Sequence, residues 1–250
     1  MIPEDDRGLL LGDGLFETVL WDGGPADFDA HADRLASGCG LLGLPAPERP
    51  ALLKAAMAAV ERSGLPRAAV RLNWTAGSGG RGLDRPSTVQ PHLFAGAFPA
   101  PERGGASRLA TAATRRNETS ALSRVKSLSY LDNVLARREA AAAGADEALM
   151  LNTRGEIACA GAANLFWFEG DRLVTPALAC GVLAGTMRAR VLARAAEVGI
   201  EAEEVAAPRE ALDRARGLFL TNSLIGVRVV ETLDGRAIAP HPAVSVLAEA

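Results

Sequence analysis

The feature that most limits how this chain can fold is a break in its patterning near the middle. Residues 98–107 read FPAPERGGAS. Two prolines remove backbone donors and two glycines loosen the chain, so neither a helix nor a central strand can run through this stretch. On either side, apolar residues recur with a period of two or of 3.6, the marks of strand and helix. The chain therefore divides into a small part of residues 1–99, a linker of 100–106 and a larger part of residues 107–250. For 250 residues, about 70% of the extended surface is buried on folding, so no metal or disulfide staple is required.

In the first part, LGDGLFETVLWDGG reads as a strand between glycine turns, AHADRLASGCGLLGL and ERPALLKAAMAAVERSG as helices, and AAVRLNWTAG and VQPHLFAGAF as strands. The second part opens on the strand-like RLATAATRR and continues with a helix over residues 128–143. Successive strands lie in EALMLNTRGEIACAGAANLFWFEGDRLVTP, with turns at 152–155 and 169–171. TMRARVLARAAEVG is a helix, PREALDRA a short helix opened by proline, GLFLTN a strand and HPAVSVLAEA a closing helix. Strands and helices mixed in two unequal halves give an α/β or α+β architecture.

Composition removes several function classes. With 48% hydrophobic residues, 23% charged residues and a formal net charge of -3, the chain is an ordinary globular one without the basic field that nucleic acid requires. Cys39, Cys159 and Cys180 show no C-x-x-C spacing, and His31, His92 and His241 are far apart, so no metal site is expected. The acidic start MIPEDDRG lacks the apolar core of a signal peptide, and no run approaches the roughly 18 apolar residues of a membrane span. A cytoplasmic protein, with its cysteines reduced, is expected.

Among 27 basic residues only Lys54 and Lys126 are lysines. Arginine cannot replace a primary amine where a carbonyl is to be captured as a Schiff base. Lys54 falls on the solvated face of a helical pattern. Lys126, in SRVKSLSYLDNVLARREAAAAG just before a strong helical run, is the candidate nucleophile.

GSGGRG at 77–82 formally fits a dinucleotide-binding fingerprint, but that site needs a helix N-terminus directly after the glycines. Pro86 and Pro91 argue against one, and the better reading is a flexible loop. Its Arg81 either clamps a substrate carboxylate or is simply solvated on a turn. GVLAGTMR at 181–188 sets a glycine turn before a helix starting near Thr186, where unpaired N–H groups receive a phosphate or merely begin a helix. TNSL at 221–224 has the same two readings.

Taken together these segments resemble the class IV aminotransferase family, the pyridoxal-phosphate enzymes of fold type IV, which include branched-chain and D-amino acid aminotransferases and aminodeoxychorismate lyase. The likeness runs through GDGLFET at 12–18, HADRL at 31–35, GSGGRGL at 77–83, VKSLSYLDNVLARREA at 125–140, the segment 144–168, GVLAGTMR, and FLTNSLIGV at 219–227. GSGGRGL, AANLFWF and TNSL are most similar to the lyase branch. The resemblance implies a two-domain fold like that of D-amino acid aminotransferase, with pyridoxal 5'-phosphate at the domain interface and the Schiff-base lysine in the larger domain.

What the resemblance implies for single residues follows position by position. Lys126 matches the Schiff-base lysine that also shuttles the proton. Arg34 matches the arginine of the cofactor phosphate, with the backbone of Thr186 and Met187 and the Ser223 side chain completing the cup. Tyr130 corresponds to a tyrosine near the cofactor's phenolic oxygen, and Leu183 to a residue packed on its ring. Arg81 and Asn222 fall on the substrate side. A homodimer acting on a small amino substrate is implied, with the Arg81 loop reaching the active site across the interface.

The chain also departs from the family pattern. Cys159 stands where the family carries a glutamate facing the pyridine nitrogen, and a neutral thiol is only a weak hydrogen-bond partner there. Glu156, three residues away on a strand, should face the other way. The DRG element at 6–8 comes without the opening strand the resemblance implies. The expected activity is aminodeoxychorismate lyase; a branched-chain or D-amino acid transaminase and a cofactor-binding protein of low activity are the alternatives.

Overall fold

The computed structural model describes residues 2–250, and they fall into two units. One takes Met1–Pro101 with Val125–Ser129, the other Glu102–Arg124 with Tyr130–Ala250.

The first unit runs α1 (Arg7–Leu11), β1 (Gly14–Asp22), α2 (Phe28–Leu42), α3 (Arg49–Ser63), β2 (Arg67–Thr75) and β3 (His92–Pro99). The strands form an antiparallel sheet in the order β1-β2-β3. Leu15 and Val19 of β1, Leu35 and Cys39 of α2 and Leu52 of α3 fill one core. Helix α2 stops at Gly43, whose left-handed φ of 64° lets its N–H return to Cys39 and Gly40. Helix α1 was not legible in the sequence. It has only five residues and stands on its cap, Asp6, whose side chain accepts from the N–H groups of Gly8 and Leu9.

Residues 125–129 join this unit because their backbone completes the exposed edge of β1. Phe16 N–H donates to the Lys126 carbonyl at 2.8 Å, Leu128 N–H to the Gly14 carbonyl at 2.9 Å, and Val125 enters the core. Lys126 thus sits in the first unit, whereas the sequence reading put it in the larger part. The pairing links residues more than a hundred positions apart and leaves no periodic trace.

The second unit contains β4 (Ala106–Thr111), α4 (Leu131–Ala142), β5 (Glu147–Leu151), β6 (Ile157–Ala160), β7 (Asn164–Glu169), β8 (Arg172–Pro176), α5 (Thr186–Glu197), β9 (Ala202–Val205), β10 (Arg216–Asn222), β11 (Gly226–Leu233), β12 (Arg236–Ala237) and α6 (Ala243–Leu247). Its mixed sheet has the order β6-β5-β4-β11-β10-β7-β8-β9, with β12 beside β11. Side-chain alternation along β7 splits the core: Leu165 and Trp167 join one cluster, while Phe166 and Phe168 pack with Met187 and Val191 of α5. Alanines 136 and 140 of the alanine-rich α4 pack on Ala148, Met150, Ala158 and Cys159. PREALDRA forms the short helix expected, of the 3₁₀ type, over Arg209–Asp213 with Pro208 just before it. The mixed architecture read from the sequence is the one observed.

Candidate active site

In the first unit, adjacent residues of β1 organise two clusters. The Lys126 ammonium lies 4.2 Å from the centroid of the Phe16 ring, and the Arg71 guanidinium lies 3.6 Å from the same centroid. The two cations are therefore at most about 8 Å apart, a separation that one small anionic substrate can span. Arg71 reaches this ring diagonally from β2, two residues from Asn73, the partner of Phe16, since Thr18 pairs with Arg71. Its Nε donates to Asn73 Oδ1 at 2.9 Å.

Glu17, the next residue, points to the opposite face of the strand and receives Arg34 from α2 in a bidentate pair. Nε donates to Oε1 at 2.7 Å and Nη2 to Oε2 at 2.6 Å. His31 Nδ1 is 2.7 Å from the same Oε2. Burial alone would raise the Glu17 carboxyl, but the hydrogen bonds and charges of Arg34 and His31 outweigh it and hold the pKa down at about 2. Arg34 is thereby fixed in orientation.

Arg81 is exposed on loop 77–85. Arg7 donates from its guanidinium to the carbonyls of Gly79, Gly82, Leu83 and Asp84 in this loop. Those contacts hold the loop in one shape.

The second unit gathers a different set. Helix α5 begins at Thr186 behind Gly185, and no side chain caps its first N–H groups. A Cβ on Gly185 would lie 1.9 Å from Asn164 Oδ1, so only glycine passes here. Asn164 in turn donates to the Leu183 carbonyl at 2.9 Å. Across the β7–β10 pairing from Asn164 is Thr221, wholly buried, whose hydroxyl has no hydrogen-bond partner. Asn222 Nδ2 reaches the Ala162 carbonyl at 3.0 Å, and its Oδ1 accepts from Leu224 and Ile225 N–H. Ser223 follows directly after β10, Met187 is buried in the first turn of α5, and Tyr130 occupies the N-cap of α4.

Cys159 is buried on β6 opposite Met150. Burial pushes its thiol up, Arg116 opposes that and Glu147 adds to it, so the group is neutral near pH 7. Glu156 faces elsewhere, toward Asn152, Arg154 and Cys180. Arg116 is buried and donates to Gly181 O, Asn133 Oδ1 and Ser123 O, a hub that the sequence reading missed. Phe16, Glu17, Arg71 and Thr221 were missed too. A glutamate between Leu15 and Val19 on the apolar face of a strand was the available signal, since such a group demands a cation opposite.

Tested against pyridoxal phosphate, the residues fit in two respects. The first unit provides a half-buried primary amine at Lys126 and a guanidinium at Arg34; the second, taken by itself, provides the uncapped α5 N-terminus and the orphan Thr221 hydroxyl as anion partners. At Cys159 the chain provides no anion for a ring nitrogen.

Comparison with known proteins agrees with this reading. The family model for amino-transferase class IV matches residues 14–233. The chain is 32% identical to a branched-chain-amino-acid aminotransferase of Pseudomonas aeruginosa over 92% of its own length and 79% of the relative's. It is 28% identical to an aminodeoxychorismate lyase of Vibrio harveyi, over 93% and 88%. A hypothetical aminotransferase from Mycobacterium tuberculosis, solved in a PLP-bound form, superposes with a TM-score of 0.85 at 25% identity, covering 100% of this chain and 91% of that one. A lysine set on an aromatic ring, an uncapped helix start and these likenesses lead to one conclusion: the chain belongs to the class IV aminotransferase family and is a pyridoxal-phosphate-dependent enzyme of fold type IV.

Proposed function

We propose that this enzyme is a 4-amino-4-deoxychorismate lyase, which releases pyruvate and leaves 4-aminobenzoate. The carrying observation is the pair of cations, Lys126 and Arg71, on the single Phe16 ring. Pyridoxal phosphate, when bound, supplies a carbonyl that condenses with amines and a ring that accepts electron density. Lys126 would supply the amine that anchors it, and the same Nζ would serve as the base for the proton on the substrate carbon that bears the amine. Arg34, oriented by Glu17, would serve the phosphate from the first unit, and the backbone of Thr186 and Met187 with the Ser223 side chain would serve it from the second. Tyr130 would serve the phenolic oxygen, Leu183 would pack on the ring, and Cys159 would meet its nitrogen. Arg71, Arg81 and Asn222 serve the substrate, which carries two carboxylates.

The neutral Cys159 thiol favours elimination over amino transfer. It weakens the ring as an electron sink, a deficit better tolerated by a reaction whose product gains an aromatic ring. Transamination of branched-chain or D-amino acids is the second reading, supported by the Pseudomonas aeruginosa relative. Leu9 and Leu10 of α1 and Leu83 of the Arg81 loop are exposed, Leu83 to 84%, and large apolar side chains left in water support a homodimer. Three unpaired buried cysteines support a reducing, cytoplasmic setting, and 4-aminobenzoate places the reaction in folate biosynthesis.

The test is incubation of the holoenzyme with 4-amino-4-deoxychorismate and, separately, with panels of L- and D-amino acids. Pyruvate and 4-aminobenzoate from the first, without pyridoxamine phosphate from the second, are expected. Pyridoxamine phosphate formed from an amino acid, with no pyruvate from the first substrate, refutes the lyase reading.

A further inference from the structure

Loop 77–85 owes its shape to one side chain outside it. Arg7, at the start of α1, is buried, and its Nη1 donates to Gly79 O and Gly82 O at 3.4 Å and to Asp84 O at 3.0 Å, while Nη2 donates to Leu83 O at 2.9 Å. Its Nε is held by Asp13 at 2.9 Å, and its backbone N–H donates to Gly77 O at 2.8 Å. Asp13 is itself clamped by Arg85, which also reaches the Leu42 carbonyl. Asp6 ties the other side, accepting from Thr75 Oγ1 and lying 2.8 Å from His92 Nδ1.

The geometry closest to Arg81 is the most telling. Arg81 N–H donates to Asp84 O at 3.2 Å and Asp84 N–H returns to Arg81 O at 3.1 Å, a turn that presents the Arg81 side chain. The carbonyl that closes this turn is the one Arg7 Nη1 grips. Gly80 leaves room for that grip, since a Cβ there would lie 2.1 Å from Asp84 O and 2.9 Å from Arg7 Nη1. Four carbonyls converging on one planar cation need a fork of donors in fixed directions, which lysine does not have.

We propose that Arg7 is a positioning residue for Arg81, fixing loop 77–85 so that the Arg81 guanidinium is set to receive a substrate carboxylate. This rests on the reading of Arg81 as a carboxylate partner. Arg7 then acts on substrate affinity through Arg81 alone.

A double-mutant cycle with Arg7→Gln, Arg81→Ala and the double variant tests it, using the carboxylate substrate that the holoenzyme turns over. Each single variant should raise KM roughly tenfold, the worth of one charge-assisted contact, and leave kcat within about threefold. The double variant should be no worse than Arg81→Ala, because contacts acting in series are not additive. Arg7→Lys, which keeps the charge and the reach to Asp13, should also raise KM, and it serves if Arg7→Gln folds poorly. A multiplied KM in the double variant, or an unchanged KM in a folded Arg7→Lys or Arg7→Gln protein, overturns the proposal. If Arg81→Ala itself leaves KM unchanged, the carboxylate reading of Arg81 has failed and the proposal falls with it.

Discussion

Glu17 shows how one buried carboxylate sets both stability and site geometry. Its folded pKa of about 2 lies below the ordinary value of 4.5, so its stabilising contribution is present above pH 4.5 and drains away as pH falls toward 2. Removing it should cost about 3 kcal/mol at pH 7 and almost nothing near pH 2. Denaturant unfolding of Glu17→Gln beside the wild type, at pH 7 and at pH 3, should show the gap narrowing with acid; a constant gap contradicts the ion-pair account. Arg34→Ala should weaken cofactor binding by roughly 10- to 150-fold, the range for a lost charge-assisted contact. Equilibrium titration with pyridoxal phosphate measures this, and unchanged affinity returns Arg34 to a structural partner of Glu17. At Cys159, a carboxylate should restore the electron sink. Cys159→Glu, with Cys159→Asp as the control for overpacking of about 1–3 kcal/mol, should speed proton abstraction in single-turnover measurements. Two folded, cofactor-loaded variants with unchanged rate and spectrum mean that Cys159 does not face the ring.

At the scale of elements, what was legible in the sequence is what local patterning encodes. The helices over Phe28–Leu42, Arg49–Ser63 and Thr186–Glu197 and the strand Gly14–Asp22 follow from apolar spacing and from glycine and proline punctuation. Helix α1 escaped because a single capped turn has no period. The attachment of Lys126 to β1, the Arg71 approach to Phe16 and the Arg7 grip on loop 77–85 escaped because they join distant segments. Lys126 itself was legible for a chemical reason: in a chain that uses arginine almost throughout, a retained amine stands out. The start of α5 offers a further test. Gly185→Ala would drive a Cβ onto Asn164, break its bond to Leu183 and shift the first turn, so cofactor affinity should fall roughly tenfold or more. Gly40→Ala, exposed within α2 with nothing near its Cβ, should leave affinity alone and add about 0.5–1 kcal/mol of stability. Equal effects of the two would show that the α5 entrance is not a binding element.

On the scale of the whole molecule, the chain is a cofactor-dependent enzyme, and a second copy is proposed from the exposed leucines. Sedimentation should give a dimer, and Leu10→Asp with Leu83→Asp should shift it toward monomer; a monomeric wild type removes the dimer. The bond that Lys126 would make to the cofactor is covalent and can be trapped. Reduction of the holoenzyme with borohydride, followed by intact mass and peptide mapping, should place one reduced pyridoxyl group on the peptide containing Lys126. Lys126→Ala and Lys126→Arg should both carry none, since arginine cannot form the bond. A label on Lys54, or no label on a wild type that has retained its fold, would contradict the account.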